Sequence, residues 1–284
     1  MPETVFGTGL TLRFLERDGT SLAVHTWGRG PARVLYVHGL QSHAGWLAEA
    51  GPELAGRGVR LSVLDRRGSG RSEGRRGHLD GAAAVLDDYA AFLAEEAAGA
   101  TGPVTVVGQS FGGSILAALI ATGRVPAGIR VVLCAPALGQ QRARLDETAR
   151  AEVRQRRGTS YSVVRLRDEQ YTDLPRYLQI MANDGLMVRM VTGSFRAAMV
   201  EIEDLYMTDR DSSAGGDPWA ALPVHLALPQ RDEIIDLDAT CAALARLAPH
   251  ARTERFATTS HYLEFTDVRH AYWDWLAEVA RAGN

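Results

Sequence analysis

Residues 104–114 read "VTVVGQSFGGS", and the fold turns on whether Ser110 is a nucleophile raised on a sharp turn or a hydroxyl among glycines. A bare G-x-S-x-G match recurs in unrelated chains, so its surroundings carry the argument. "PVTVVG" (103–108) is a short apolar run, as expected of a strand buried on both faces. "GGSILAALIATG" (112–123) is apolar at helical spacing and closes on Gly123. Ser110 therefore falls where a buried strand turns directly into a helix, the setting a nucleophile elbow requires. Gly108 and Gly112 leave room for the turn, and the Phe111 N–H lies at the positive end of the new helix.

Working outward, strand and helix signals alternate. "TLRFLER" and "SLAVHTW" flank "DGT" and predict an antiparallel hairpin. "RVLYVHG", "RLSVLD" and "IRVVLCAP" read as further buried strands, with helices over 45–58 and 79–98 between them. That order requires a mainly parallel sheet of about eight strands with helices on both faces. From about 138 to 210 no strand is expected. A charged helix over 141–157 and two or three more helices predict a helical cap insertion at 138–210, dividing a core of 1–137 and 211–284. After the polar linker 208–218 the alternation resumes with "PVHLAL", "DLDATCAALARLA", "ARTERFA" and "RHAYWDWLAEVARA".

Composition narrows the function classes. The 284 residues are 46% hydrophobic and 23% charged, with a formal net charge of −3. Nothing there draws the chain to nucleic acid or an anionic membrane. No apolar run is long enough for a membrane anchor. "MPETVFGTGL" has no basic region followed by an apolar stretch, so no secretory signal is expected and the cytoplasm is the expected location. Cys134 and Cys241 sit in apolar segments and read as buried thiols rather than a disulfide.

A serine hydroxyl needs a base in reach, an acid to orient that base, and donors for the oxyanion. In an open α/β sheet these gather at the carboxyl ends of the strands. "VHLALPQRDEIID" places Asp232 just past a strand, with Glu233 as its competitor; Asp236 and Asp238 read as the start and cap of the next helix. Of eight histidines, His25 and His225 lie within strands, His250 at the opposite edge, and His270 opens the last helix. His261, in "FATTSHYLEF", follows the final strand on the same edge as Ser110 and Asp232. A neutral imidazole there can take the serine proton while the carboxylate fixes its tautomer.

Ser110, Asp232 and His261 in that order, on this strand pattern, resemble the α/β-hydrolase superfamily over nearly the whole chain. "YVHGLQSHAGW" (36–46), "DRRGSGRSEGRRGH" (65–78) and "SHYLEF" (260–265) resemble motifs of its monoacylglycerol lipase and lysophospholipase-like branch, the serine aminopeptidase S33 type. The resemblance implies a second oxyanion donor in the Leu40 N–H beside that of Phe111. It also implies a serine esterase acting on a hydrophobic acyl or alkyl ester through an acyl-enzyme on Ser110, without a cofactor. A thioesterase, acyltransferase, cyclase or carbon–carbon bond hydrolase shares this chemistry, and a non-catalytic ligand-binding fold is the rival of another class. Three positions depart from the branch: Phe111 where Met is frequent, Gln41 where Gly is common, and "NDGL" (183–186) in place of Asp-Pro-Leu.

All methionines after the initiator fall within 181–207. Met181, Met187, Met190 and Met199, with Gln41, Trp46, Phe195 and Tyr206, are the candidate wall for a small-molecule acyl substrate, although packing of the cap onto the sheet accounts for the methionines slightly better. The arginines Arg66, Arg67, Arg71, Arg75 and Arg76 read as structural more than anion-binding. His38 and His43 lack the neighbours of a metal site. Oligomeric state is not legible.

Overall fold

The computed structural model describes residues 4–5, 9–208 and 216–282. The strands are β1 (Thr4–Val5), β2 (Leu10–Arg17), β3 (Thr20–Trp27), β4 (Ala32–Val37), β5 (Val59–Leu64), β6 (Val104–Gln109), β7 (Arg130–Cys134), β8 (Tyr161–Val163), β9 (Met190–Thr192), β10 (Val224–Pro229) and β11 (Arg252–Phe256). The helices are α1 (Ala50–Gly56), α2 (Ala82–Ala98), α3 (Phe111–Ala121), α4 (Gln140–Arg144), α5 (Glu147–Gln155), α6 (Pro175–Ala182), α7 (Gly193–Met207), α8 (Leu237–Leu247) and α9 (Arg269–Arg281). One sheet runs in the order β1-β2-β3-β5-β4-β6-β7-β10-β11. The predicted hairpin β2–β3 is antiparallel, β3 is antiparallel to β5, and every pairing from β5 to β11 is parallel. With β1 only two residues long, eight principal strands remain, as the sequence predicts.

Alternation along each strand sends side chains into two cores. Leu35, Val37, Val106, Val131 and Leu133 pack beneath α2, α3, α7 and α8. Val34, Tyr36, Val107, Val132 and Cys134 pack beneath α1 and α9. All eleven residues of α3 are buried, which explains why the helix is apolar on every side.

Strands β7 and β10 lie side by side, with Val131 opposite Val224, yet the chain between them builds α4 to α7. Two expectations for this segment are corrected. Tyr161–Val163 pairs antiparallel with Met190–Thr192, so the segment holds two strands. Each is three residues, too short for any periodicity to register, and the pairing is supplied by a partner 29 residues away on average. The single charged helix is two: Leu145 is extended and Asp146 restarts the chain as an N-cap accepting from the Ala149 N–H at 2.8 Å. Asp204 on α7 binds Arg142, Arg150 and Arg154, fastening α4 and α5 to it. The boundary expected at 210–211 lies outside the described residues. Both cysteines are free, Cys134 buried as expected but Cys241 only half-buried, since the buried residues of α8 are Thr240, Ala243 and Leu244.

Candidate active site

Ser110 bridges β6 and α3 with φ 52° and ψ −120°, a conformation that costs a non-glycine residue about 1–3 kcal/mol. Three backbone bonds hold it there: its N–H donates to Cys134 O at 3.0 Å, and its carbonyl accepts from Gly113 and Ala137, both at 2.9 Å. The turn leaves no space behind it, since a Cβ on Gly112 would stand 2.0 Å from Val37 O.

Asp232, in the loop after β10, accepts the Ile234 and Ile235 N–H groups on Oδ1 at 2.8 and 3.0 Å. Its Oδ2 lies 2.6 Å from His261 Nδ1, and neither side chain is exposed. These contacts make Nδ1 the donor and leave Nε2 with a lone pair. Glu233, the competing acid, is exposed and reaches towards Arg167. Asp236 caps α8. His261 is further fixed by its N–H to Gln170 O at 3.1 Å and by the edge of the Tyr171 ring.

Ser110 Oγ makes no hydrogen bond with the described residues. Nucleophile–base bonds commonly close only in the complex with substrate. His261 Nε2 lies 3.4 Å from Gln109 Nε2. Gln109 escaped the sequence reading, although its place between Gly108 and Ser110 at the end of β6 was the available signal.

The loop after β4 is built around a buried arginine. Arg66 donates from Nη1 to Gly39 O at 2.9 Å and from Nη2 to Leu40 O at 2.8 Å. Its guanidinium stacks over Phe111 and Phe195, 5.6 and 5.4 Å from the ring centres. Gly39 O also accepts from His38 Nδ1 at 2.9 Å, while His38 Nε2 accepts the Arg66 N–H at 3.0 Å. Burial, reinforced by Arg66, pushes the His38 pKa down to about 3, so its ring is neutral and this tautomer is fixed. Gly39 C=O and Leu40 N–H share one peptide plane, so anchoring the carbonyl aims the N–H. Neither the Leu40 nor the Phe111 N–H has an acceptor among the described residues.

The remaining loop arginines are tied structurally: Arg67 to Asp88, Arg75 to Tyr161 and Thr159, Arg76 to Leu186 and Gly70 carbonyls, while the Arg71 N–H donates to Asp65. His43 donates to Asp184 at 3.0 Å, as does Trp46 at 2.7 Å. Among the described residues no three His, Cys, Asp or Glu side chains form a metal-holding group, and no helix is long and apolar enough to cross a membrane.

The candidate wall residues disperse. Trp46, Met181 and Met187 are buried in an aromatic cluster with Tyr171, Tyr177, Tyr262 and Phe265. Gln41 is buried between Tyr171 OH and Val188 O. Phe195 packs on Phe111, and Tyr206 lies in the core beneath α3. Met190 is exposed. Met199 alone among them lines the cavity of about 590 Å³ that reaches Leu40. A larger cavity, about 740 Å³, sits at the amino-terminal ends of β7, β10 and β11, the far edge of the sheet from Ser110, where open α/β sheets do not bind ligands.

A doubly covered parallel sheet with a serine on a strained strand-to-helix turn defines an α/β-hydrolase. Residues 29–266 match the family model described as serine aminopeptidase, S33. The chain belongs to that family. It shares its fold with a soluble variant of monoglyceride lipase from Saccharomyces cerevisiae, at 18% identity and TM-score 0.78 over 98% of this chain and 97% of that one. It is similarly alike to the monoacylglycerol lipase of Paleococcus ferrophilus (18%, TM-score 0.75, 92% and 99% covered) and a thermostable carboxyl esterase of Bacillus coagulans (14%, 0.76, 95% and 97%). An uncharacterized abhydrolase domain-containing protein of Dictyostelium discoideum is 31% identical over 111 residues, 38% of this chain and only 12% of that protein.

Proposed function

We propose that the protein hydrolyses carboxylic esters with a hydrophobic acyl or alkyl part through an acyl-enzyme on Ser110. The observation that carries this reading is the buried 2.6 Å contact between Asp232 and His261 on the strand edge where Ser110 is raised. His261 Nε2 takes the Oγ proton as Oγ bonds to the ester carbon, and the Leu40 and Phe111 N–H groups receive the negative charge on the former carbonyl oxygen. The tetrahedral intermediate collapses as His261 returns the proton to the leaving alcohol. Water, deprotonated by the same imidazole, then releases the acid. Asp232 orients the ring and stabilises the imidazolium. The lipase and esterase names of the structural relatives favour an ester. A cationic amino terminus is met best by an acidic lining, and the described lining of the cavity at Leu40 contains no Asp or Glu.

A fluorophosphonate probe tests the assignment. The parent protein should be labelled on Ser110 and hydrolyse p-nitrophenyl esters, and Ser110→Ala should do neither. Equal labelling of Ser110→Ala would overturn it.

A further inference from the structure

The cavity beside Leu40 has an apolar wall of Leu145, Val153, Val164, Val191 and Met199. Among the described residues its charged lining is three arginines, Arg144, Arg165 and Arg196, with no carboxylate. Neighbouring arginines are paired differently and end on acids: Arg142, Arg150 and Arg154 on Asp204, and Arg189 on Asp168. The three that line the cavity have no carboxylate partner among the described residues. Among the described residues Arg196 donates to Ser162 Oγ at 3.0 Å and Val163 O at 3.2 Å. Arg144 donates to Gln140 Oε1 and Ile234 O. Arg165 has no hydrogen bond or ion pair with the described residues.

Partial burial, and then the Arg165 charge, lower the Arg196 pKa, as expected of two cations close together against an apolar wall. An anion entering the cavity relieves that repulsion and takes up guanidinium donors that no protein carboxylate occupies. At about 590 Å³ the space suits a small amphipathic molecule.

Resting on the esterase reading above, we propose that the substrate is an anionic amphiphile: an ester whose apolar part lies along Val164, Val191 and Met199, and whose phosphate or carboxylate is held by Arg165 and Arg196. The charge sits either on the acyl chain or on the alcohol. Two matched pairs of esters separate these sources. The first is p-nitrophenyl hemiglutarate against p-nitrophenyl valerate; the second is 1-butyrylglycerol 3-phosphate against 1-butyrylglycerol.

For the pair with the correct source, the parent should prefer the anionic member in kcat/KM by roughly fivefold to tenfold, mainly through KM, at low ionic strength. The preference should shrink towards one in 0.5 M NaCl and in Arg165→Gln/Arg196→Gln. The Arg165→Lys/Arg196→Lys variant should keep much of it, because the charge is retained. Fluorophosphonate labelling reports that each variant is folded. Turnover of all four esters with no anionic preference, or a preference that survives both Gln substitutions, overturns this proposal and leaves the Ser110 reading intact. Absence of turnover together with absence of labelling overturns both.

Discussion

Arg66→Met tests how the loop proposed to carry the Leu40 oxyanion donor is held. The substitution keeps side-chain length and an apolar contact with Phe111 and Phe195, and it removes the donors to Gly39 O (2.9 Å) and Leu40 O (2.8 Å). Hydrogen bonds from a charged donor contribute about 1.5–3 kcal/mol each. The catalytic loss has a ceiling, because the most that disorder of the Leu40 N–H can remove is one oxyanion donor, about 3–4 kcal/mol. His38 Nδ1 still holds Gly39 O, so about half that ceiling is expected, a fall in kcat of roughly tenfold to thirtyfold. KM should stay within about threefold, because the ground-state ester carries little charge for the donor to meet. Steady-state hydrolysis of a neutral p-nitrophenyl ester, with circular dichroism as the control for folding, gives both constants. Arg66→Lys, able to reach one carbonyl, should fall between the two. A folded Arg66→Met protein with kcat within twofold of the parent, or with its whole loss in KM, refutes the argument that Arg66 aims the Leu40 N–H.

Two further tests concern stability. Burial, opposed by the hydrogen bond from Tyr36 OH, raises the Glu264 pKa from 4.5 to about 7. The unfolded chain therefore releases this proton first, and stability falls by about 3 kcal/mol between pH 4.5 and 7, then levels off. Urea unfolding at pH 5 and pH 8 should show that difference shrinking in Glu264→Gln, and an unchanged difference would contradict it. Asp184 is the opposite case: despite burial, hydrogen bonds from His43 and Trp46 lower its pKa from 3.8 to about 2. Its contribution, about 2 kcal/mol, is present above pH 4 and lost as pH falls through 2. Asp184→Ala should accordingly lower the melting temperature at pH 7, with the gap to the parent narrowing at pH 3. A gap independent of pH would show that the carboxylate charge is not what fastens 183–186 to the His43 loop.

The parallel sheet was legible because its inner strands are apolar runs rich in β-branched residues, and such runs have one stable place, whereas the edge strand RTERF (252–256) is charged and largely exposed. The hairpin β2–β3 and the helix α2 were legible for the same local reasons. Strands β8 and β9 were not, since "YSV" and "MVT" carry no pattern and exist only because each finds the other. The break at Leu145–Asp146 was written in the chain as an N-cap aspartate, but the charged run around it reads as continuous helix. Asp232 was legible as one of two adjacent carboxylates. Only the loop geometry turns Oδ1 to the Ile234 and Ile235 amides, Oδ2 to His261, and Glu233 out to solvent.

What the amino-acid order determined by itself is local and periodic: the strand, the glycine-lined turn, the helix after Ser110, and the positions of an acid and a histidine after later strands. Tertiary structure decided everything that depends on partners distant in the chain. It made Arg66 the anchor of the loop that carries Leu40, placed Gln109 beside His261, and buried most of the methionines and aromatic residues that composition alone offered as a substrate wall. It also left Arg165 and Arg196 without carboxylate partners among the described residues while binding their neighbours to Asp204 and Asp168. The reason is physical: an arginine has the same side chain wherever it stands, and its pairing depends on which carboxylates the packed fold brings within reach.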